Sequence, residues 1–317
     1  MNKREFIARL CGAAAGTLFF RARAALAQDL PAIRVASLVS DTAGEPIYGQ
    51  DSGIFTRAGF HVELSLFTNY GAIQAALVSR AVDVGVLDSM GFAVTASHNI
   101  PISIIAAGAQ YNTKAPTLLM CVAKNSPLRR PADLAGKTIS VGTLRGSADI
   151  STRAWLAQQN VDTANIRIIE LPFSEMDAAL ERGTVDAATI AEPSLAAALK
   201  AGARPFGKIY DAVAPQYVQN VWATSTEYAL QNPELLKRFV ASIYDVARWA
   251  NAHHTESAAI LTKYSKLDET TVREMTRTEF ATSLDPKMLQ PVIDTAGRYG
   301  VIPKPMLASS LIAPPFR

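Results

Sequence analysis

Short apolar runs closed by polar turns alternate along this chain with stretches in which apolar residues recur every three or four positions. Val35 to Val39, His61 to Phe67 and Val82-Asp83-Val84-Gly85-Val86 read as strands, and the segments between them as helices. Residues 35 to 101, laid against residues 138 to 204 at a constant offset of 103, repeat this order without a gap. Val35 to Val39 meets Thr138 to Gly142, Gly44 meets Ser147, and Tyr70 meets Phe173. Further on, Ala75-Ala76-Leu77 meets Ala178-Ala179-Leu180, and Val82-Asp83 meets Val185-Asp186. Few matched residues are identical. The repeated β-α-β-α-β order carries the argument, because such alternation builds a parallel sheet covered by helices. The period is that of a lobe, so the expected class is α/β with two lobes, each a mainly parallel sheet flanked by helices.

Within the second unit, Ser174-Glu175-Met176-Asp177 is a capping-box pattern expected to open a helix through Met176, Ala179 and Leu180, with Gly183 as its stop. The last third of the chain differs in kind. Asn232-Pro233 opens an amphipathic helix through Leu236, Phe239, Val240, Ile243 and Ala247, and Asp285-Pro286 opens another that Gly300 ends. No third sheet is expected there. These helices are expected to pack back on the first lobe. Lobe I then comprises residues 28–115 and 220–317, lobe II residues 116–219, and the two chain crossings form a hinge.

The first 27 residues read as neither lobe. Lys3, Arg4 and Arg9 surround the short apolar run Leu10 to Phe20, Arg21 and Arg23 bound it, and Ala25-Leu26-Ala27 offers a small-residue cleavage site before Gln28. This is the layout of a secretory signal peptide, and the run is too short to span a bilayer. Asn2-Lys3-Arg4-Glu5-Phe6-Ile7 resembles a twin-arginine export signal with lysine at the first arginine. Cys11 follows Ala8-Arg9-Leu10, which is not the small-residue lipobox of lipoproteins. The expected location is the periplasm.

Export changes the charge picture. Five of the 31 basic residues and one of the 28 acidic residues lie in this leader, leaving 26 against 27. The formal charge of +3 therefore belongs to the leader, and neither a nucleic acid nor an anionic membrane is an expected partner. Cys121 is then the only cysteine, set in the apolar run Leu118 to Val122, and reads as a small core residue.

In parallel α/β sheets the strand C-termini and the helix N-termini that follow them face a common crevice, where ligands bind. This rule places Ser40, Asp41, Glu45 and Tyr48 in the cleft after the first strand, Asn69 and Tyr70 after the second, and Asp88 and Ser89 after the third. Gln110 and Tyr111 lie near the first crossing. The second lobe contributes Thr143, Arg145, Gly146 and Ser147, then Phe173 and Ser174, then Glu192. The loop Gly142 to Ser147 either offers free amides and Arg145 to an anionic group or is a plain helix-start turn. Glu192 either accepts from a ligand N–H or is a hinge-side structural carboxylate, and Asp88-Ser89 has the same two readings. Tyr48, Tyr70, Tyr111 and Trp222 either sandwich a flat ligand or pack between the lobes. Asp83 and Asp186 sit at strand starts, away from the cleft, and read as structural.

Catalysis finds less support. His61, His98, His253 and His254 form no metal-ligand spacing, and no Gly-x-Ser-x-Gly elbow or Gly-x-x-x-x-Gly-Lys-Thr phosphate-binding loop is present. No enzyme activity, metal or cofactor is expected.

The segments Tyr48-Gly49-Gln50-Asp51-Ser52-Gly53-Ile54-Phe55, Val82 to Val86, Asp133-Leu134-Ala135-Gly136-Lys137-Thr138-Ile139-Ser140-Val141 and Val185-Asp186-Ala187-Ala188-Thr189-Ile190-Ala191-Glu192-Pro193 carry a family resemblance. The chain resembles the periplasmic binding proteins for nitrate, sulfonates, taurine and thiamine-pyrimidine precursors. The resemblance implies the type II two-lobe fold, a small-molecule ligand and a membrane permease of an ABC-type importer as partner, and the chain is expected to be a monomer. Two other roles on this scaffold are a thiamine-pyrimidine synthase, whose cysteine-rich run is absent here, and a ligand-sensing receptor module. Arg145 and the helix amides favour an anionic ligand, whereas Asp41, Glu45, Asp88 and Glu192 favour one with N–H donors. A zwitterion or a nitrogen heterocycle meets both demands.

Overall fold

The computed structural model describes residues 31–317. The expected leader, with Cys11 and the cleavage site, lies outside the described residues. The first sheet holds β1 (Ala32–Leu38), β2 (His61–Phe67), β3 (Val84–Asp88), β4 (Ile102–Ala107) and β12 (Asn220–Ser225), in the order β2-β1-β3-β12-β4. β1 runs parallel to β2 and β3, and β12 runs antiparallel to β3 and β4. The second sheet holds β6 (Leu118–Val122), β7 (Thr138–Val141), β8 (Arg167–Glu170), β9 (Ala187–Ala191) and β10 (Arg204–Gly207), ordered β10-β6-β9-β7-β8. Here β7, β8 and β9 are parallel, while β6 and β10 are antiparallel additions.

Helices α1 (Glu45–Asp51), α2 (Ile54–Arg57), α3 (Tyr70–Val78) and α4 (Ser89–Ser97) belong to the first unit, and α5 (Ser147–Gln158), α6 (Phe173–Glu181) and α7 (Ser194–Ala201) to the second. The remainder are α8 (Thr226–Gln231), α9 (Pro233–Ala252), α10 (His254–Ser265), α11 (Glu269–Glu274) and α12 (Pro286–Arg298). β3 and β9 are buried along their whole length, as strands covered on both faces must be, which explains their near-continuous apolar runs.

The duplication has a polar signature that its few identities did not advertise. Just before β3, the Asp83 carboxylate accepts from the Arg34 amide at 2.9 Å, and the Asp83 amide donates to the Arg34 carbonyl at 2.9 Å. Just before β9, Asp186 makes the same pair of bonds to Thr138, at 2.9 and 2.8 Å. Each aspartate pins the start of one parallel strand to its neighbour, at the sheet end away from the cleft. A nearby cation completes each arrangement, Arg34 at 2.6 Å and Lys137 at 3.6 Å.

Two details depart from the sequence reading. α6 starts at Phe173 with Pro172 at its N-cap, so Ser174 lies inside the helix and its hydroxyl caps nothing. A third sheet also exists: β5 (Ala109–Asn112) pairs antiparallel with both β11 (Gln216–Val218) and β13 (Glu279–Phe280). It sits where the chain passes between the two larger sheets. β13 has only two residues, too few for any alternation to show.

The helical expectations for the last third fit well. Pro233 is the first residue of α9, and Asp285 caps α12 by accepting from the Lys287 amide at 2.9 Å. Gly300 follows α12 with φ of 68°, a conformation that favours glycine. α9 lays Leu236, Phe239, Ile243 and Ala247 into the first core, where Phe239 meets the rings of Phe55, Phe60 and Trp222 at 6.1, 6.4 and 5.6 Å. Burying one such ring stabilises by about 1.5–3 kcal/mol. The C-terminal segment also reaches the second sheet's helices. Lys200 on α7 donates to Thr271 at 3.2 Å, and the Tyr299 hydroxyl donates to the Ala154 carbonyl at 3.3 Å.

Candidate ligand-binding site

Between the two large sheets lie two cavities and a narrow gap. One cavity, of about 360 Å³, is lined by Ser40 and Phe67 from the first unit, Phe173, Ser174 and Pro193 from the second, and Tyr264 after them. The other, of about 330 Å³, is lined by Tyr70, Asp88 and Thr95 on one side and Thr143, Arg145 and Gly146 on the other. The gap, about 20 Å³, is bounded by Tyr70, Asp88, Gly142, Ser147, Phe173 and Tyr210. Either cavity is within the lower range of small-molecule pockets. Glycine at 142 lets the Phe173 ring pack against the loop, since a Cβ there would stand 2.6 Å from the ring and displace it.

Asp88 bridges the two lobes across the gap. It is the N-cap of α4, and its Oδ1 accepts from the Gly91 amide at 2.8 Å. The same oxygen accepts from the Ser147 amide at 2.8 Å and the Ser147 hydroxyl at 2.7 Å, at the first residue of α5. Burial pushes this carboxyl's pKa up, while the Gly91 and Ser147 bonds pull it down. A second bridge crosses the lobes between Asn69, which caps α3, and Glu170, at 3.3 Å.

Other expected residues turn inward. Asp41 is fully buried and accepts from Arg277 at 2.9 and 3.1 Å, from the Tyr48 hydroxyl at 2.5 Å and from the Thr278 amide at 2.6 Å. Its lone pairs are committed to the protein, and Tyr48 points at it from the core. Glu45 and Trp222 are both fully buried and bonded to each other at 2.8 Å, so neither lines a cavity. Burial raises the Glu45 pKa to about 8 against the lowering effect of the indole bond. Tyr111 in the small sheet packs with Tyr217 of β11 and with Tyr210 of the preceding helical turn and donates to Asp211 at 2.6 Å, while Gln110 pairs with Val218 and Glu279. The aromatic residues therefore divide: Tyr70 lines the second cavity and the gap, and Tyr48, Tyr111 and Trp222 are packed inside.

Ser40 lines the larger cavity and bonds Thr42, whereas Ser89 spends its hydroxyl on the Val218 carbonyl at 2.9 Å. Glu192 stitches elements together, accepting from the Ala196 amide at 2.9 Å and the Thr276 amide at 3.2 Å. Burial raises its pKa to about 7, opposed by these two amides. Arg145 is exposed, with φ of 61°, and its amide donates to Asp149 at 2.9 Å. Cys121 is buried in β6, where desolvation pushes its pKa up to about 12, as suits an inert core thiol. Among the described residues, no group of three or more His, Cys, Asp or Glu side chains is arranged to hold a metal.

Two polar residues behind the cleft were not anticipated. Arg277 had no sequence signal, lying in a polar stretch remote from both repeats. Asn220 did have one. It opens β12 opposite Asp88, and since β12 is antiparallel its beginning, not its end, faces the cleft. Asn220 is fully buried and donates to the Tyr70 hydroxyl at 2.7 Å, leaving its own Oδ1 without a donor among the described residues.

Two mainly parallel sheets facing each other across a polar gap, joined through short antiparallel strands, define the two-lobe periplasmic-binding-protein fold. The chain belongs to the NMT1/THI5-like family, whose model matches residues 42–257. The taurine-binding periplasmic protein of Escherichia coli is 27% identical over 209 residues, which span 64% of this chain and 62% of that relative. The match thus leaves more than a third of that relative's length unaligned. Among solved structures, the alkanesulfonate-binding protein SsuA of Xanthomonas axonopodis bound to MOPS superposes with a TM-score of 0.74 at 18% identity, covering 89% of this chain and 97% of that one. The periplasmic nitrate-binding protein NrtA of Synechocystis superposes with 0.71 at 15% identity, covering 87% and 83%. At such identities the structures establish the shared fold.

Proposed function

We propose that this protein is a periplasmic receptor that captures one small polar organic solute between its lobes and delivers it to the permease of an ABC-type importer. The observation that carries the reading is the contact of Asp88 with Ser147. Polar groups at the strand and helix ends of opposite lobes meet across a gap flanked by two cavities, which is the geometry of a cleft that closes on its contents. Lobe I is assigned to residues 28–115 and 220–317 and lobe II to residues 116–219, with the passages near Gln110 and Val218 as hinge. The family match and the taurine-binding relative support a sulfonate, a taurine-like zwitterion or a pyrimidine-type heterocycle as solute. Ser40, Tyr70, Asp88, Thr143, Ser147 and Ser174 are its proposed contacts. The receptor acts as a monomer and needs no cofactor.

A thermal-shift screen of the mature protein against sulfonates, amino-sulfonates, aromatic acids and pyrimidines tests this directly. A true solute at 100 times its Kd adds about 2.7 kcal/mol of stability. The solute should be recovered chemically unchanged after incubation. A panel that leaves the melting temperature unmoved, or a compound that is turned over, sinks the receptor reading.

A further inference from the structure

The start of α5 has what an oxyanion seeks: free amides, a serine hydroxyl and the positive end of a 12-residue helix. In the closed cleft that position is already filled by the protein's own carboxylate. Three donors, two amides and one hydroxyl from the starts of α4 and α5, converge on Asp88 Oδ1 within 2.7–2.8 Å. The side chain is pressed between two backbones, since a Cβ on Gly91 or Gly146 would come within 2.8 or 3.2 Å of Oδ2. Among the described residues no lysine or arginine forms an ion pair with Asp88, and its charge is met by the Gly91 and Ser147 amides and the Ser147 hydroxyl.

The surroundings beyond Oδ1 call for donors. Oδ2 makes none of the three bonds. Asn220 Oδ1, an acceptor only, and the Thr143 hydroxyl, which can accept or donate, are buried with no hydrogen-bond partner among the described residues, and Tyr70, which holds Asn220, shares the second cavity with Asp88 and Thr143. An unpaired buried acceptor carries a penalty that a ligand donor removes.

We propose that Asp88 is a resident anion occupying the oxyanion position at the start of α5, so that the cleft selects a solute presenting an amine or ring N–H there and rejects a free sulfonate or inorganic oxyanion. This rests on the receptor reading and narrows its solute class. A zwitterion binds with its cationic end toward Asp88, and its acidic group lies elsewhere. A second negative charge beside the carboxylate would be repelled in a poorly solvated gap and would find its donors taken.

The test uses sulfate and methanesulfonate as probes, measured by calorimetry on the wild type, Asp88→Ala and Asp88→Ser. The serine hydroxyl keeps the cap on the Gly91 amide but is too short to reach Ser147. Both variants should bind methanesulfonate roughly tenfold or more tightly than the wild type does. In the wild type, the Ser147 amide resonance should not move when methanesulfonate is added. Wild-type binding as tight as that of the variants overturns the proposal. So does a folded variant that gains no anion affinity, or a wild-type Ser147 amide that shifts saturably. If no organic solute stabilises the wild type, the receptor reading fails while the anion gain in the variants still stands or falls on its own.

Discussion

The Trp222 indole donates to Glu45 Oε2 at 2.8 Å inside the first lobe, where both side chains are fully buried. Glu45 Oε1 has no partner among the described residues. With its folded pKa raised to about 8 from an ordinary 4.5, the carboxyl stays protonated at neutral pH. Its contribution is complete below pH 4.5 and is lost as pH rises through 8, because over that window the unfolded chain releases a proton that the folded one holds. Glu45→Gln removes this dependence. The gap between variant and wild type should widen in the variant's favour by up to about 1.4 kcal/mol per pH unit between pH 5 and 8. Urea unfolding at several pH values checks it, and parallel curves for the two proteins would refute it.

Arg277 and Asp41 form a buried ion pair, with the arginine side chain 8% exposed and the aspartate fully enclosed. Arg277→Met leaves the carboxylate with only the Tyr48 hydroxyl and the Thr278 amide. Loss of one partner from such a pair costs about 3–5 kcal/mol. Asp41→Asn combined with Arg277→Met should recover a large part of that loss. Denaturant midpoints for the two singles and the double variant measure the coupling, and additive effects would mean that the pair does not act as a unit.

Arg145 makes no side-chain hydrogen bond or ion pair among the described residues, and it stands exposed at φ of 61°. Arg145→Ala should therefore leave stability within about 0.5 kcal/mol of the wild type. If Asp88 holds the oxyanion position, the same variant should also leave methanesulfonate binding by Asp88→Ser only modestly weakened. A large drop in melting temperature would show that Arg145 has a structural partner.

Asp88 with Ser147, and Asn69 with Glu170, are bonds that must break if the lobes part. A solute found by the screen should shift the chain toward this closed arrangement by hinge motion. Solution scattering should then record a smaller radius of gyration with saturating solute than without it. Identical profiles, both larger than the closed structure requires, would rule out closure on binding.

The leader pattern predicts a mature N-terminus at Gln28, after loss of 27 residues. Intact mass spectrometry of the periplasmic fraction from an exporting host measures this. A full-length cytoplasmic product would contradict it.

The order of strands and helices in the two repeated units, and the long helices after them, was legible in the sequence because those elements carry their own periodicity. β3 and β9 announce themselves as apolar runs, α9 and α12 by proline at the first turn and an amphipathic face. The repeat offset then related Asp83 to Asp186, and both proved to hold equivalent places at strand starts. The rule of strand ends likewise brought Tyr70, Asp88, Thr143 and Ser147 to one gap.

What the sequence could not decide was the fate of polar and aromatic residues near those ends, because that depends on partners far away in the chain. Glu45 reads as a cleft acid, yet the indole of Trp222, 177 residues on, draws it into the core. Asp41 reads the same way until Arg277, 236 residues away, occupies it. Asn220 reaches the cleft only because β12 enters its sheet antiparallel, and the two residues of β13 become a strand only because β5 is there to pair with them. Local pattern fixes which segments form elements, since it needs only the chain's own period. Burial and pairing of individual polar groups belong to tertiary structure, where a donor's distance in sequence counts for nothing and its distance in space decides.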